Sequence, residues 1–247
     1  MNLTITMLTI RQFLRSKSIF VVLGIGLLPS LLAIIARIQP EELSIRDLRE
    51  IFGNALYRGM YVGTLLPLGT LILATSAIGD EIEDRTLQYL YLKPISRLRI
   101  VLEKALAAFI VLVPLLWVGI VVMWSIIAFG NVDALRNLLV PALLSSLVAI
   151  VGFGTLFMLL SMVIQRALLV GIFYVFVWET SLSRWLPGIR TISIRHFTES
   201  LFVRLASDRS IRLDQVSAET TVYITIALIG AISLALATWR LRAMSLE

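Results

Sequence analysis

The sequence predicts an all-α integral membrane protein with six transmembrane helices. Of its 247 residues only 15% are charged and 58% are hydrophobic, whereas soluble domains carry about 25% charged residues. Long stretches contain no Asp, Glu, Lys or Arg, and about 20 apolar residues are enough to cross a bilayer. Within each stretch, apolar residues occupy the whole circumference of the predicted helix, which argues against a soluble amphipathic bundle.

The first 17 residues are expected to form an amphipathic helix on the cytoplasmic membrane surface. Leu3, Met7, Ile10 and Leu14 recur at helical spacing, and the basic residues lie elsewhere on the circumference. A cleaved signal peptide is the alternative, but its apolar region would normally be about 7 to 15 residues long. The apolar stretch here is longer, so we expect no cleavage.

Five charge-free stretches are each long enough to span a bilayer. The predicted spans are residues 18–36, 59–79, 105–129, 138–164 and 220–239. A further span is predicted at residues 167–186, although its charge-free part ends at Trp178 and is too short by itself. Extending it past Glu179 supplies the missing length and places that carboxylate near a membrane face, where a charge costs less.

The distribution of Lys and Arg predicts that both termini are cytoplasmic. With the N-terminus inside, 11 of the 22 basic residues lie on each side of the membrane. Six of the outer ones belong to residues 179–219, and without that segment the count is 11 inside against 5 outside. We therefore expect a multi-pass protein of a bacterial or archaeal plasma membrane.

Several functions are disfavoured by residues that the sequence lacks. It contains no cysteine and one histidine, His196, so neither a thiolate nor a histidine metal site is expected. It has no Gly-x-x-x-x-Gly-Lys-(Ser/Thr) phosphate loop and no protease motif, so we expect neither ATP hydrolysis nor intramembrane proteolysis by this chain. The net charge of +6 suits anionic lipid better than nucleic acid, because no basic face lies in a soluble domain.

Residues 80–104 form a charged cytoplasmic segment between spans two and three. An acidic cluster that includes Glu81 and Glu83 leads into a short helix that Thr86 can cap. Three apolar side chains follow at i, i+3 and i+4, namely Leu87, Leu90 and Tyr91. Pro94 ends this helix, and Ser96 can cap the next one. The pattern fits either a knob that docks on a soluble partner or a solvated loop.

At these residues the sequence resembles the membrane subunits of the ABC-2 type family of ABC transporters. In that family span two leads into Glu-x-Glu-x-Gly-Thr-Leu, followed by Pro-(Ile/Val)-Ser-Arg and by a Lys that opens span three. The matching residues are Glu81, Glu83, Thr86, Leu87, Pro94, Ile95, Ser96, Arg97 and Lys104. Arg85 stands where the family usually has glycine. The family also has a surface helix, six spans and an extracellular re-entrant or helical insertion, a role that residues 187–219 would fill.

The resemblance implies a permease subunit of an ATP-driven exporter, with a coupling helix seated on a separate ATPase subunit. The residues implied in docking are Glu81, Glu83, Arg85, Thr86, Leu87, Leu90, Tyr91, Pro94 and Arg97. ATP and Mg would be bound by the partner ATPase, and this chain would carry no cofactor. One six-span chain is one half of such a transporter, so a second permease half is implied, in a homodimer or a heterodimer.

Two questions stay open on the sequence alone. Glu179 is a candidate for the translocation path, and the alternative is an interfacial helix end with its carboxylate among lipid headgroups. A secondary transporter or a membrane scaffold is the alternative function. A secondary transporter would usually carry more charged or polar residues inside its spans.

Overall fold

The computed structural model describes residues 3–38, 43–83, 95–182, 193–211, 213 and 215–243. Every regular element within these ranges is a helix. The helices are α1 (Thr4–Arg15), α2 (Ser18–Ile38), α3 (Ile45–Glu50), α4 (Leu66–Ser76), α5 (Gly79–Glu83), α6 (Arg97–Ala128), α7 (Val132–Val163), α8 (Ala167–Phe173), α9 (Ile194–Ala206) and α10 (Glu219–Ala243). Two π-helical segments, π1 (Ile51–Leu65) and π2 (Tyr174–Leu182), join α3 to α4 and extend α8. Their backbone follows i→i+5 hydrogen bonding and is wider than an α-helix.

Five helical stretches among the described residues are long and apolar enough to cross a membrane. They are Ser18–Ile38, Ile45–Ile82, Arg97–Ala128, Val132–Val163 and Glu219–Ala243, and they coincide with five of the six predicted spans. The apolar helix at the remaining position, Ala167–Ser181, is shorter. The all-helical membrane architecture is therefore confirmed, and the count of six spans stays a prediction.

The helix that contains the predicted second span begins well before residue 59. It starts at Ile45, where Ser44 and Asp47 form a reciprocal capping box: the Asp47 N–H donates to Ser44 Oγ at 3.2 Å, and the Ser44 N–H donates to the Asp47 carboxylate at 3.0 Å. Leu48 and Phe52 on the first turns are fully buried. Charged residues interrupt the apolar pattern here, so hydropathy does not indicate where this helix starts.

Two long central helices, α6 and α7, organise the bundle. Helix α6 packs against α1, α2 and α7, while α7 packs against α4, α9 and α10. Helices α2 and α6 approach closely at Gly26 and Gly119, where a Cβ on Gly119 would overlap the backbone of Gly26. Small residues permit this backbone contact between spans.

The N-terminal helix α1 packs on α6 through a partly polar face. Thr6 and Thr9 are buried in this contact, whereas Leu3, Met7 and Leu14 of the predicted apolar stripe are exposed. An exposed apolar stripe on a helix beside membrane spans is suited to contact with lipid. The helix matches the predicted element, and its position on the cytoplasmic surface stays a prediction.

Candidate functional site

One part of the candidate site lies at the loop end, which we define as the end of the bundle where the chain leaves α5 and enters α6. Lys104 of α6 is fully buried, and its Nζ donates to Glu81 Oε1 of α5 at 2.6 Å and to the Ala77 carbonyl at 2.8 Å. A buried ammonium group requires such partners because its desolvation is costly. The pair therefore fastens the helices on either side of residues 84–94 to each other.

A second carboxylate at the loop end caps the N-terminal helix. Leu3 precedes α1 and provides no side-chain cap, but Glu103 Oε2 accepts the N–H groups of Ile5 at 3.0 Å and Thr6 at 3.3 Å. The other oxygen of Glu103 accepts Arg99 Nε at 2.6 Å. Glu103 thus satisfies orphan N–H groups of α1 and places negative charge at the positive end of its dipole. The surface helix and α6 are joined by this contact.

The insertion end, the end of the bundle opposite the loop end, includes α9, which extends inward so that its first turn lies beside Gly152 of α7 and Gly63 of π1, partway along both helices. The candidate acid Glu179 lies at this inner end of α9. Its side chain is buried in π2 and accepts four hydrogen bonds. Ser193 Oγ donates at 2.5 Å and Tyr174 Oη at 2.8 Å, while the N–H groups of Ile194 and Arg195 donate at 3.2 and 3.3 Å. Three of these four donors belong to the start of α9. Glu179 therefore caps α9 from a different helix.

An ionic network continues from this cap. Glu199 of α9 binds Arg195 Nε through Oε1 at 2.6 Å and Arg58 Nη2 through Oε2 at 3.1 Å. The guanidinium of Arg195 lies against Gly63, whose Cβ position would be 3.1 Å from Arg195 Cζ. The absence of a side chain on Gly63 gives the guanidinium room. The network joins α9 to π1, and the Thr180 hydroxyl donates to the Gly63 carbonyl at 3.3 Å to join π2 to π1.

A further ion pair lies beside this network at Asp208, which follows α9. Asp208 Oδ2 accepts Arg49 Nη1 at 2.9 Å, and Oδ1 accepts the N–H and the hydroxyl of Ser210 at 2.9 and 2.6 Å. Burial of the Asp208 carboxyl favours a higher pKa, but the Ser210 hydrogen bonds and the Arg49 charge outweigh it and lower the pKa below its usual value. The carboxylate is thus held in its charged form.

A row of partly accessible residues runs along the second half of the helix that contains the second span. Thr64, Leu68, Ile72 and Ser76 recur at every fourth residue, and each is partly accessible. Asn54, earlier in the helix, donates to the Ser210 carbonyl at 3.3 Å and accepts Arg58 Nη1 at 2.8 Å. Polar side chains at membrane depth usually face protein or a water-filled cavity rather than lipid. This row is therefore suited to a partner surface or a path through the membrane.

Comparison with known proteins assigns the chain to a family. A family model described as "ABC-2 family transporter protein" matches residues 4–246, which is nearly the whole chain. The chain belongs to the ABC-2 transporter family. No curated protein matches it. Membership confirms the resemblance seen at the second span and identifies the chain as a multi-pass membrane permease of an ABC transporter.

Membership in the ABC-2 family also defines the chain's part in the transporter. An ABC-2 permease is a membrane transport component and is not itself an ATPase, and it associates with an ABC ATPase. The cytoplasmic termini, the second permease half and the docking contact stay predictions.

Most of the predicted ABC-2 docking residues lie outside the described residues. These are Arg85, Thr86, Leu87, Leu90, Tyr91 and Pro94, together with the side chain of Glu83. Glu81 and Arg97 are described: Glu81 pairs with Lys104, and Arg97 is the first residue of α6. The docking role of all nine residues stays a prediction.

Sequence reasoning missed Glu103 and the Arg58–Glu199–Arg195 network. Nothing in the sequence indicates that Glu103 caps α1, because its partners in α1 are 97 and 98 residues away in the chain. Arg195 and Glu199 are spaced i, i+4, a signal that favours an ion pair on a helix but does not identify the third member. Within the described ranges, no group of three or more metal-ligating side chains is found.

Proposed function

We propose that the chain forms one half of the membrane pathway of an ABC exporter and docks its ATPase through the segment between α5 and α6. In this role, ATP-driven movement of the partner is passed to the spans by a short coupling helix around residues 87–93. Six spans, cytoplasmic termini and a second permease half belong to the same proposal. ATP and Mg are bound by the partner ATPase.

The observation that carries the proposal is the buried pair between Glu81 and Lys104. It joins the end of the second span to the start of the third at 2.6 Å, directly at the base of the docking segment. A force applied to this segment therefore acts on both spans together. Coupling requires such a rigid connection, since a loosely held loop would absorb the movement of the partner.

The contacts of α1 extend this connection. Glu103 is next to Lys104 in α6 and caps α1, so the surface helix moves with the same span. The partly accessible row of Thr64, Leu68, Ile72 and Ser76 lies on the helix that ends at this connection, and a second copy or a related chain would pack against it. These features support a mechanical link from the docking segment to the pathway.

Co-purification tests the docking proposal. The chain is purified from its native membrane after Leu87, Leu90 and Tyr91 are changed to Asp, because three carboxylates on an apolar docking face oppose burial. We expect the ATPase subunit to be lost while the chain stays in the membrane at wild-type abundance. The matched control is Ile45→Asp, which places a carboxylate on a half-exposed apolar residue at the insertion end and should retain the ATPase.

Retention of the ATPase by the triple variant would refute docking through this segment. ATP-dependent transport also separates the alternatives, because a secondary transporter would keep its activity when the ATPase is removed. A scaffold would show no transport in either condition.

A further inference from the structure

An apolar groove lies between α2 and α6 at the insertion end. Ile34 and Ile38 of α2 form one wall, and Val121 and Val122 of α6, with Phe129 directly after it, form the other. The groove has a volume of about 800 Å³, which is within the range of about 300–1,000 Å³ typical of small-molecule sites. Ile38 is 74% exposed and Phe129 is 78% exposed. These walls are accessible from the membrane and not from the protein core.

A single cationic side chain, Arg37, stands at the end of this groove. Arg37 lies in the last turn of α2, and its guanidinium donates to the carbonyls of Phe129 and, at 3.4 Å, of Ile126. A guanidinium has five N–H donors, so these two contacts leave donor capacity for another acceptor. The carbonyls hold the planar group in place at the mouth of the groove.

The level of Arg37 along the bundle coincides with the ends of three spans. Helix α2 ends at Ile38, α6 ends at Ala128 and α7 begins at Val132. The short turn between α6 and α7 contributes Asn131 to the groove. Arg37 therefore lies where apolar spans give way to polar surface, which is the depth of lipid headgroups.

The charge and polarity of the lining indicate one class of occupant. The described lining residues include Arg37, two polar side chains, Ser125 and Asn131, and no acid. A ligand that complements this lining has an apolar chain for the walls and an anionic group for the guanidinium, which favours the paired oxygens of a phosphate. Phospholipid has both parts and surrounds the protein. A free phosphate would leave the apolar walls unoccupied.

We propose that the groove between α2 and α6 is a phospholipid-binding site, in which one acyl chain lies along the apolar walls and the headgroup phosphate binds Arg37. The leaflet concerned is the one opposite α1, since α1 precedes the other end of α2. This lipid is a bound component of the permease, and its site is separate from the docking segment.

Native mass spectrometry of the delipidated, full-length chain tests this site with three probes. Phosphatidylglycerol carries both parts, diacylglycerol of the same chain length lacks the phosphate, and glycerol phosphate lacks the chains. We expect phosphatidylglycerol to bind at least about tenfold more tightly than either of the others. Equal binding of diacylglycerol would overturn the role of Arg37, and equal binding of glycerol phosphate would overturn the role of the groove.

Substitutions then locate the lipid. Arg37→Gln should weaken phosphatidylglycerol binding about tenfold. Arg136→Gln, at an exposed arginine on the first turns of α7 that does not line the groove, should leave binding unchanged. Val122→Trp fills the groove without altering charge and should weaken binding independently of Arg37. Wild-type binding by both groove variants would overturn the proposal.

A cross-link in the native membrane distinguishes lipid from a second protein copy. The chain has no cysteine, so Val122→Cys introduces the only thiol. We expect this thiol to react with a membrane-soluble maleimide and to form no disulfide between copies. An efficient disulfide would overturn the lipid site, because the groove would then be an interface between two chains.

Discussion

The loop end and the insertion end both bury charged side chains, but the loop end fastens its helices through separate contacts and the insertion end through a shared network. Lys104 of the loop end has one carboxylate partner, Glu81, and Glu103 makes its own contacts to α1. At the insertion end, Glu199 bridges two arginines and Glu179 accepts four hydrogen bonds. Loss of one charge should therefore be more damaging at the loop end, because a network keeps other contacts when one member is removed.

The largest effect is expected for Lys104→Met. The substitution leaves Glu81 without its buried cation, and breaking a buried ion pair costs about 3–5 kcal/mol. Thermal unfolding of the purified chain in detergent should show a large decrease in Tm. The double variant Glu81→Leu/Lys104→Met should recover much of it, since it removes both charges.

Arg97→Gln is the matched control for this experiment. Arg97 is basic, belongs to the first turn of α6 and is only partly buried, so its loss should change stability by less than about 1 kcal/mol. If Lys104→Met behaved like Arg97→Gln, the pair would not be what fastens the two spans.

A smaller and more local effect is expected for Glu179→Gln. The amide keeps the shape of the carboxylate but faces several donors with an NH₂ group, so at least one buried N–H of α9 loses its acceptor, at a cost of about 1–3 kcal/mol. Hydrogen exchange should become faster in the first turn of α9 and stay unchanged in α1. Normal assembly and transport by this variant would favour a purely structural role for Glu179.

Glu103→Gln provides the reciprocal test at the loop end. Its effect on hydrogen exchange should be confined to the first turn of α1, which it caps. Similar changes at both ends in either variant would contradict the separation of the two regions.

The smallest effect concerns pH and Asp208. Its pKa is lower in the folded chain than in the unfolded chain, where an aspartate titrates near 3.9. Its stabilising contribution is therefore complete above that pH and is lost as the pH falls through the lower folded value. Asp208→Asn should lower the free energy of unfolding at pH 7 by less than about 1 kcal/mol, which gives a slightly lower Tm. It should also make the Tm depend less on pH in the acid range. Asp133→Asn, at an exposed acid of the same end, should retain that dependence.

The spans could be predicted from the sequence because their signal is a simple property, a long run of apolar residues. The start of the helix that contains the second span could not be predicted, because Arg46, Asp47, Arg49 and Arg58 interrupt that run. In the structure Asp47 belongs to a capping box, Arg49 pairs with Asp208, and Arg58 pairs with Glu199. The partners of the two arginines are remote in the sequence, so local hydropathy begins this segment too late.

The sequence singled out some residues of the candidate site but none of their contacts. Glu81 and Lys104 were identified as positions of the family motif, while their pairing depends on the way α5 meets α6. For Glu179, the sequence indicated a membrane boundary, and the structure shows a buried cap of α9. Hydrogen bonds between distant segments depend on tertiary packing, which a single sequence does not display.

The capping of α1 by Glu103 has a consequence for the order in which the chain is completed during synthesis. The ribosome makes α1 before α6, but the acceptor for the N–H groups of Ile5 and Thr6 lies in α6. A nascent chain that contains only the first two spans has no Glu103 to offer them. Helix α1 therefore reaches its final contacts only after the third span has entered the membrane.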